Sequence, residues 1–244
     1  MAAFKRLFNI VKYGVGGDAR ARKMADKADR RRDQFENEAV WNHDDDVIKR
    51  KYESYDEYVR HQASKLDQVV HRLEETEDDD YAEFRRRFEG CEPLKAARSV
   101  LCLGARIGTE VRALRDLGHF AVGIDLNPGP DNAYVLVGDF HDLAYADGSV
   151  DAVYTNALDH GFDIDKLVAE VRRVLRPGGL FLVDLLLGYE EGFLPGKFEA
   201  THWRDHKDFV ETIRQSGEFE LERILDLGQM RRDHWMQAHL KKPT

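Results

Sequence analysis

The sequence predicts an α/β fold, in which a doubly wound, mostly parallel sheet of seven strands follows a helical extension. From Arg98 onward, short apolar runs alternate with amphipathic stretches, which is the rhythm of strand, turn and helix. These runs are nearly continuously apolar, as in strands that helices cover on both faces. The early runs end in glycine, Asp or Asn, residues that favour turns. Together these observations predict that the α/β domain covers residues 96–244.

Seven strands can be placed in order along this part of the chain. The first five cover residues 99–103, 120–124, 134–137, 150–154 and 180–185, and the last two lie around residues 221–227 and 235–240. Helices are expected over residues 110–117, 163–175 and 206–216. The first five strands predict a parallel sheet, which the last two strands close.

Residues 1–95 are predicted to form a helical extension that carries no recognisable chemistry. Its first part is a basic arm of about residues 1–32, which contains ten Lys and Arg against three Asp. Within the arm, residues 4–11 have the apolar spacing of a short amphipathic helix. Such a helix either docks on the body of the protein or lies on an anionic surface.

The rest of the extension is predicted to be mainly helical. Apolar residues recur at helical spacing from Val47 to Val70 and include three tyrosines, Tyr52, Tyr55 and Tyr58. An aromatic helix that precedes a ligand-binding domain is a candidate lid, although aromatic stripes at this spacing more often belong to a core.

Composition excludes several classes of protein. With 42% hydrophobic and 34% charged residues, the chain is typical of globular proteins rather than of disordered or membrane proteins. No apolar run approaches the roughly 18 residues of a membrane-spanning helix. The net charge of −9 argues against extended nucleic-acid binding by the body, whereas the basic arm suits a peripheral anionic contact. Cys91 and Cys102 give no disulfide framework, so a cytoplasmic location is expected.

Residues suited to hold a nucleoside stand at the predicted strand ends. Gly104 and Gly108 follow the first strand, and glycine allows a tight turn and close approach of a ligand to the backbone. Asp125 ends the second strand about 20 residues later, a spacing that suits an acid binding ribose hydroxyls. Asp139 ends the third strand, where a carboxylate can accept from an exocyclic amine. Since ligands bind at the carboxyl ends of parallel strands, these residues predict one site.

In combination these motifs resemble those of the class I, Rossmann-like methyltransferases that depend on S-adenosylmethionine. Residues 100–110 are similar to the glycine-rich first motif of that family, residues 123–128 to its ribose-binding acid, and residues 138–143 to its adenine-binding segment. Residues 147–154 and 167–179 resemble the fourth strand and the helix after it. The resemblance implies S-adenosylmethionine as the cofactor. It assigns cofactor binding to Leu103, Gly104, Ala105, Arg106, Gly108, Glu110, Asp125, Leu126, Asp139, Phe140 and Asn156.

Two residues depart from the pattern of the family. Cys102 stands where the family usually has an acid that helps to hold the methionine amino group, and Arg106 stands where glycine is usual. Glu110, in the first turn of the next helix, either replaces that acid or interacts with the helix dipole. Arg106 either pairs with the methionine carboxylate, which suits a guanidinium, or extends into solvent or across the pocket.

The catalytic residues are predicted to follow the fourth strand. Methyl transfer is an in-line displacement that needs positioning and a local base. Asp159 and His160 stand where donor and acceptor are expected to meet, and the pair can deprotonate a hydroxyl or an amine. The alternative is that both are ordinary loop residues. The other histidines form no convincing ligand set, so no metal is expected.

The sequence therefore predicts a methyltransferase that moves a methyl group to an oxygen or nitrogen of a small-molecule or glycan-like acceptor. Because of Cys102 and Arg106, a degenerate domain that binds or scaffolds without catalysis is the alternative. A nucleotide-dependent oxidoreductase or epimerase is a weaker alternative, since the glycine loop lacks a complete G-x-G-x-x-G pattern.

Overall fold

The computed structural model describes residues 19–230 and 233–244. The helices are α1 (Ala19–Phe35), α2 (Tyr55–Ala63), α3 (Lys65–Glu75), α4 (Glu77–Glu89), α5 (Thr109–Asp116), α6 (Ile164–Val174) and α7 (His206–Ser216). The strands are β1 (Trp41–Asn42), β2 (Val47–Arg50), β3 (Ser99–Leu103), β4 (Phe120–Asp125), β5 (Val135–Val137), β6 (Val150–Thr155), β7 (Leu175–Leu186), β8 (Thr201–Trp203), β9 (Glu220–Met230) and β10 (Asp233–Lys241). The helix expected over residues 4–11 lies outside the described residues. None of the described helices is long and apolar enough to cross a bilayer.

The larger sheet contains seven strands in the order β5-β4-β3-β6-β7-β10-β9. The first five of these are parallel, whereas β10 runs antiparallel to both β7 and β9. The strand order reverses between β3 and β6, the place where open α/β sheets bind ligands. The predicted fold class, a mostly parallel seven-stranded α/β sheet, is confirmed.

Helices cover both faces of this sheet because successive residues of a strand point to opposite sides. On one face, Leu103 and Phe181 belong to the core that packs beneath α6 and α7. On the other face, Cys102 and Tyr154 pack beneath α4 and α5. All six residues of β6 are buried, which explains why the central strands are apolar almost throughout.

A second, three-stranded sheet joins the extension to the later part of the chain. β1, β2 and β8 form it in antiparallel pairs, with Val47 opposite Trp203 and the buried Ile48 opposite His202. The prediction that Val47 begins a helical segment is therefore wrong. The residues of β2 are held by a strand that lies far along the chain, and helical spacing carries no sign of such a partner.

The helical segment that was expected from Val47 begins at Tyr55 and is interrupted at Ser64 and at Thr76. Ser54 caps α2, because its side chain accepts a hydrogen bond from the Glu57 N–H. The chain bends at Ser64, which lies between α2 and α3. We call residues 55–75 the α2–α3 hairpin.

The α2–α3 hairpin lies over the carboxyl edge of the larger sheet. Gln62 Nε2 donates to the Phe198 carbonyl at 2.7 Å, and Asn127 Nδ2 donates to the Ala63 carbonyl at 2.8 Å. The Tyr55 hydroxyl donates to Asp139, and the side chain of Tyr58, which also belongs to the hairpin, is fully buried. This position suits the predicted lid, while the burial of Tyr58 shows that the hairpin is also packed as part of the core.

Candidate active site

The glycine loop after β3 has a strained backbone at a position that the sequence fills with arginine. Gly104, Arg106 and Gly108 all have positive φ, at 69°, 48° and 83°. A Cβ on Gly104 would lie 2.6 Å from the Ala157 side chain, so only glycine fits there. The left-handed conformation at Arg106 explains why glycine is usual at this position of the family motif.

Asp125 is held rigidly at the end of β4. Its Oδ2 accepts from the Arg106 N–H at 3.0 Å, and its Oδ1 accepts from the Asn127 N–H at 2.9 Å. The carboxylate lines a cavity together with Leu126 and Phe140. Because a carboxylate oxygen accepts more than one hydrogen bond, Asp125 can still accept from a pair of hydroxyls.

Asp139 is occupied by the chain itself. Its carboxylate accepts from the His141 N–H at 2.8 Å, from His141 Nδ1 at 2.9 Å and from the Tyr55 hydroxyl. Burial opposes ionisation of this carboxyl, but the hydrogen bonds outweigh it and lower the pKa of Asp139. In the structure Asp139 thus anchors the α2–α3 hairpin, and its contact with an adenine amine stays a prediction.

The cavity beside Asp125 is nearly filled. Its volume is about 40 Å³, which holds a few water molecules but no nucleoside. Tyr58, Gln62, Lys65 and Leu66 of the α2–α3 hairpin close its outer side. A ligand that reaches Asp125 must therefore displace part of this hairpin.

A larger cleft of about 500 Å³ lies on the other side of the glycine loop. Its inner wall includes Glu110, Asn156 and Asp159, and the rest of its lining mixes apolar side chains with polar and charged ones such as Arg72, Asp80 and Asp233. The apolar residues are Leu73, Phe84, Ile107, Met230 and Trp235. Four residues line both cavities, namely Lys65, Gly104, Arg106 and His160, and we call their position the junction.

Most of the residues that the sequence assigned to the cofactor meet at these two cavities. Gly104, Arg106, Asp125, Leu126 and Phe140 line the smaller one, and Gly104, Ala105, Arg106, Glu110 and Asn156 line the larger one, as do the predicted catalytic residues Asp159 and His160. Leu103, Gly108 and Asp139 are not among the lining residues of either cavity.

Glu110 and Arg106 both line the larger cleft. Burial raises the pKa of Glu110 to about 8, although Arg106 opposes this shift. Burial and then the nearby Glu110 carboxylate raise the pKa of the Cys102 thiol, so Glu110 lies close to the residue whose usual acid it was expected to replace. Among the described residues, the Arg106 guanidinium has no hydrogen-bond or ion-pair partner, which leaves it available to a carboxylate.

The predicted catalytic pair meets a lysine that sequence reasoning missed. Lys65 Nζ donates to His160 Nε2, and Asp159 Oδ1 lies 3.7 Å from the same ring nitrogen. Burial and then Glu199 raise the pKa of Asp159 to about 7, while Lys65 and Arg106 oppose the rise. Lys65 comes from the extension, 95 residues before His160, and nothing in its local sequence indicates this contact.

One further group of potential ligand atoms lies outside the cleft. Atoms of Glu191, Asp205 and His206 lie within 4.8 Å of one another. The Glu191 carboxylate meets His206 Nδ1 at 2.6 Å and accepts from the Gly188 and His206 N–H groups. These contacts fix the turn before α7, and no chemistry follows from them.

The α/β part of the chain is similar to known methyltransferases. A family described as "Methyltransferase domain" matches residues 101–183. The chain is 29% identical over 127 residues to a malonyl-[acyl-carrier protein] O-methyltransferase of Coxiella burnetii, a match that covers 48% of this chain and 45% of the relative. The chain thus spans less than half the length of the curated relatives it matches.

Solved structures show the same fold. A 1,6-didemethyltoxoflavin-N1-methyltransferase of Burkholderia thailandensis, solved with S-adenosylhomocysteine, aligns with a TM-score of 0.64 at 15% identity over 84% of this chain and 99% of that one. A chain from the complex of a Haloferax volcanii methyltransferase activator with a methyltransferase aligns with a TM-score of 0.61 at 20% identity, over 75% and 98% of the two chains. Residues 101–183 thus match a methyltransferase domain, and the larger sheet has the fold of these solved methyltransferases.

The residues of the site fit the cofactor of this family in their chemistry. Asp125 offers a fixed carboxylate for ribose hydroxyls, and the bare backbone of Gly104 leaves space that a Cβ would fill. The Glu110 carboxyl group can accept from the amino group of a methionine moiety, and the Arg106 guanidinium can pair with its carboxylate. The fit is incomplete in shape, because the α2–α3 hairpin fills the side of the nucleoside.

Proposed function

We propose that this protein binds S-adenosylmethionine and transfers its methyl group to an oxygen or nitrogen atom of a small-molecule or glycan-like acceptor. The observation that carries the proposal is that the cavity beside Asp125 and the cleft beside Glu110 share the four residues of the junction, at the carboxyl edge of a mostly parallel sheet. When bound, the cofactor supplies a methyl group on a positively charged sulfur, ready for displacement.

Different residues of the chain are proposed to bind different parts of the cofactor. Asp125 accepts from the ribose hydroxyls, and Phe140 borders the adenine side of the smaller cavity. Glu110 holds the amino group of the methionine moiety, and Arg106 holds its carboxylate. Asp125, Arg106 and Phe140 lie at or shortly after strand ends, and Glu110 lies in the first turn of α5, so the sheet and this helix fix their spacing.

The acceptor is proposed to enter the larger cleft. Its apolar side chains can pack against the body of the acceptor, and Asn156, Asp159 and His160 line the same space. An oxygen or nitrogen acceptor loses a proton on methylation, and the acid–base groups near the junction can hold it. Two similar proteins, an O-methyltransferase and an N1-methyltransferase, support this choice of atoms.

Calorimetric titration with S-adenosylhomocysteine tests the binding part of the proposal. We expect the wild type to bind and Asp125→Ala to bind about 10- to 100-fold more weakly, because two hydrogen bonds to a charged acceptor are lost. Asp142→Ala, at an exposed position in the segment after Asp139, is the matched control and leaves affinity unchanged. Equal affinity of wild type and Asp125→Ala contradicts the pocket assignment.

A non-catalytic binding or scaffolding module is the second candidate. It is favoured by the small volume beside Asp125 and by the two cationic side chains, Lys65 and Arg106, at the junction. If the wild type binds neither S-adenosylmethionine nor S-adenosylhomocysteine, this candidate replaces the enzyme.

The basic arm of residues 1–32 is proposed to make an anionic contact. Its charge supports this, while the acidic body argues against a nucleic-acid groove, and a cytoplasmic location stays an expectation from the cysteines. Deletion of residues 1–32, with binding to RNA and to anionic liposomes measured at two salt concentrations, tests the proposal. Unchanged affinity for both partners contradicts it.

A further inference from the structure

Lys65 is placed at the one position where the two cavities meet. It begins α3 directly after the bend at Ser64, and its side chain lines both the small cavity and the larger cleft. A ligand that contacts Asp125 at one end and Glu110 at the other must cross this junction. Provided that the start of α3 keeps its place when the ligand displaces other parts of the hairpin, Lys65 would face the middle of such a ligand, where the sulfur atom of the cofactor links its nucleoside and amino-acid parts.

The hydrogen bonds of His160 determine the role that is left for Lys65. His160 Nδ1 lies 3.0 Å from the Phe198 carbonyl, which only accepts, so Nδ1 carries the proton. His160 Nε2 is then the acceptor for Lys65 Nζ. Burial and the charge of Lys65 lower the pKa of His160 well below its ordinary value. Both ring nitrogens are thus engaged, and Lys65 is the proton-carrying group that faces the junction.

Charged groups from four other segments face Lys65. Arg106 comes from the glycine loop, Asp125 from the end of β4, Asp159 from the turn after β6, and Glu199 from the segment before β8. Burial lowers the pKa of Lys65 to about 7 and Arg106 adds to this effect, whereas the three carboxylates oppose it. A lysine in this setting changes its charge in response to one more charge nearby.

We propose that Lys65 is a charge gate for the cofactor: the positively charged methyl donor binds with Lys65 neutral, and its binding releases the Lys65 proton to solvent. This inference rests on the proposed function. S-adenosylmethionine carries a positive sulfur, whereas the sulfur of S-adenosylhomocysteine is neutral, and the two molecules are otherwise alike except for the methyl group. Protonated Lys65 repels the donor and tolerates the product, so it discriminates between them.

Neutral Lys65 has a second use in the same site. Its Nζ atom donates to His160 and keeps a lone pair, which can take the proton that an O–H or N–H acceptor loses. The charge that Lys65 then regains no longer opposes a bound molecule whose sulfur is neutral.

The test compares the dissociation constants of S-adenosylmethionine and S-adenosylhomocysteine, measured by calorimetry on the full chain from pH 5.5 to 8.5. We use the dissociation constant of S-adenosylmethionine divided by that of S-adenosylhomocysteine. Contributions from the groups that both ligands share cancel in this ratio. In the wild type we expect this ratio to rise about tenfold for each pH unit below about pH 7, since one proton is linked to donor binding.

Two variants and a control define the outcome. Lys65→Met has no charge, so its ratio is independent of pH, whereas Lys65→Arg stays charged and disfavours S-adenosylmethionine at every pH. Lys197→Met is the matched control, because Lys197 is an exposed lysine that bonds Gln68 at 2.8 Å and lies over the ring of Phe198. In Lys197→Met the ratio of the two dissociation constants depends on pH as it does in the wild type.

Two results overturn the inference. The first is a wild-type ratio that does not change with pH. The second is a pH dependence that survives in Lys65→Met, and if it is also lost in Asp159→Asn, the proton belongs to the Asp159 carboxyl group. If the wild type binds neither ligand at any pH, the proposed function itself has failed.

Discussion

Two clusters of buried charge in this protein are built in opposite ways. In the first cluster, Asp184 of β7 accepts from Arg87 at 2.9 Å, from Tyr154 at 2.7 Å and from Gln237 at 2.7 Å. Arg87 comes from α4, so this cluster ties the extension to the centre of the sheet. Its ionic side chains are only 3% and 2% exposed, and each is matched by partners within the chain.

The second cluster, at the junction, is incompletely matched. The Arg106 guanidinium has no hydrogen-bond or ion-pair partner among the residues that the structure describes, and Lys65 bonds a neutral histidine rather than a carboxylate. The pKa values of Lys65 and Asp159 are both shifted to about 7, primarily by burial. The comparison teaches that the Asp184 cluster serves stability, while the junction keeps charge available for a ligand.

The largest effect is expected from breaking the matched cluster. Arg87→Met leaves Asp184 buried without its cation and lowers the free energy of unfolding by about 3–5 kcal/mol. Urea denaturation measures the change. Arg86→Met, which removes the exposed neighbour that also pairs with Glu83, is the control and costs less than about 1 kcal/mol. A similar cost for both variants contradicts the account of this cluster.

Substitution of Glu110 in the larger cleft is expected to change the free energy of unfolding less, and to raise it rather than lower it. The folded pKa of Glu110, about 8, lies above its ordinary value of 4.5, so its protonated form stabilises the fold below about pH 4.5. That contribution is lost as the pH rises to 8. The Glu110→Gln variant stays neutral at every pH and so keeps this stabilising contribution. At pH 9 the free energy of unfolding of the variant exceeds that of the wild type by on the order of 2 kcal/mol. Urea denaturation at pH 5 and 9 measures this difference, and a difference that does not grow with pH contradicts the prediction.

The attachment of the α2–α3 hairpin gives a third prediction. Tyr55→Phe removes the hydrogen bond to Asp139 and lowers the free energy of opening the hairpin by about 1 kcal/mol. Hydrogen exchange of α2 amides measures this opening. Tyr52→Phe removes a bond to His61 within the extension, so it serves as the control and leaves the hairpin seated on the sheet. Equal exchange rates in the two variants argue against Asp139 as the anchor.

The smallest change in stability is expected at Arg106. Arg106→Gly relieves the positive φ and raises the free energy of unfolding by about 0.5 kcal/mol. The same variant loses the guanidinium, so the affinity for S-adenosylhomocysteine falls about tenfold. Urea denaturation and calorimetric titration measure the two effects. A variant that gains stability and also binds more tightly contradicts the role of Arg106 in holding a carboxylate.

The sequence predicted well what depends on local pattern. Apolar runs located the strands of the larger sheet, and because parallel strands end at one edge, they also brought Gly104, Asp125 and Phe140 to one place. The expectation for Glu110 came from its position in the first turn of α5. Its raised pKa and its closeness to Cys102 agree with that reasoning, and its contact with a cofactor stays a prediction.

What the sequence did not predict depends on contacts between distant segments. The helix expected to include Val47 is a strand at that point because β8 pairs with it. Lys65 has the ordinary sequence surroundings of a surface lysine, and only the bend at Ser64 and the seat of the hairpin bring it to His160. The roles of Asp139 could not be separated either, since the Tyr55 contact arises from the fold.

A crystal structure of the complex with S-adenosylhomocysteine tests the central claim most directly. The account predicts that the ribose hydroxyls lie within hydrogen-bond distance of Asp125, that the amino acid part reaches Glu110 and Arg106, and that the α2–α3 hairpin has shifted from the smaller cavity. A nucleoside bound elsewhere, with Asp125 still bonded to the backbone alone, contradicts it.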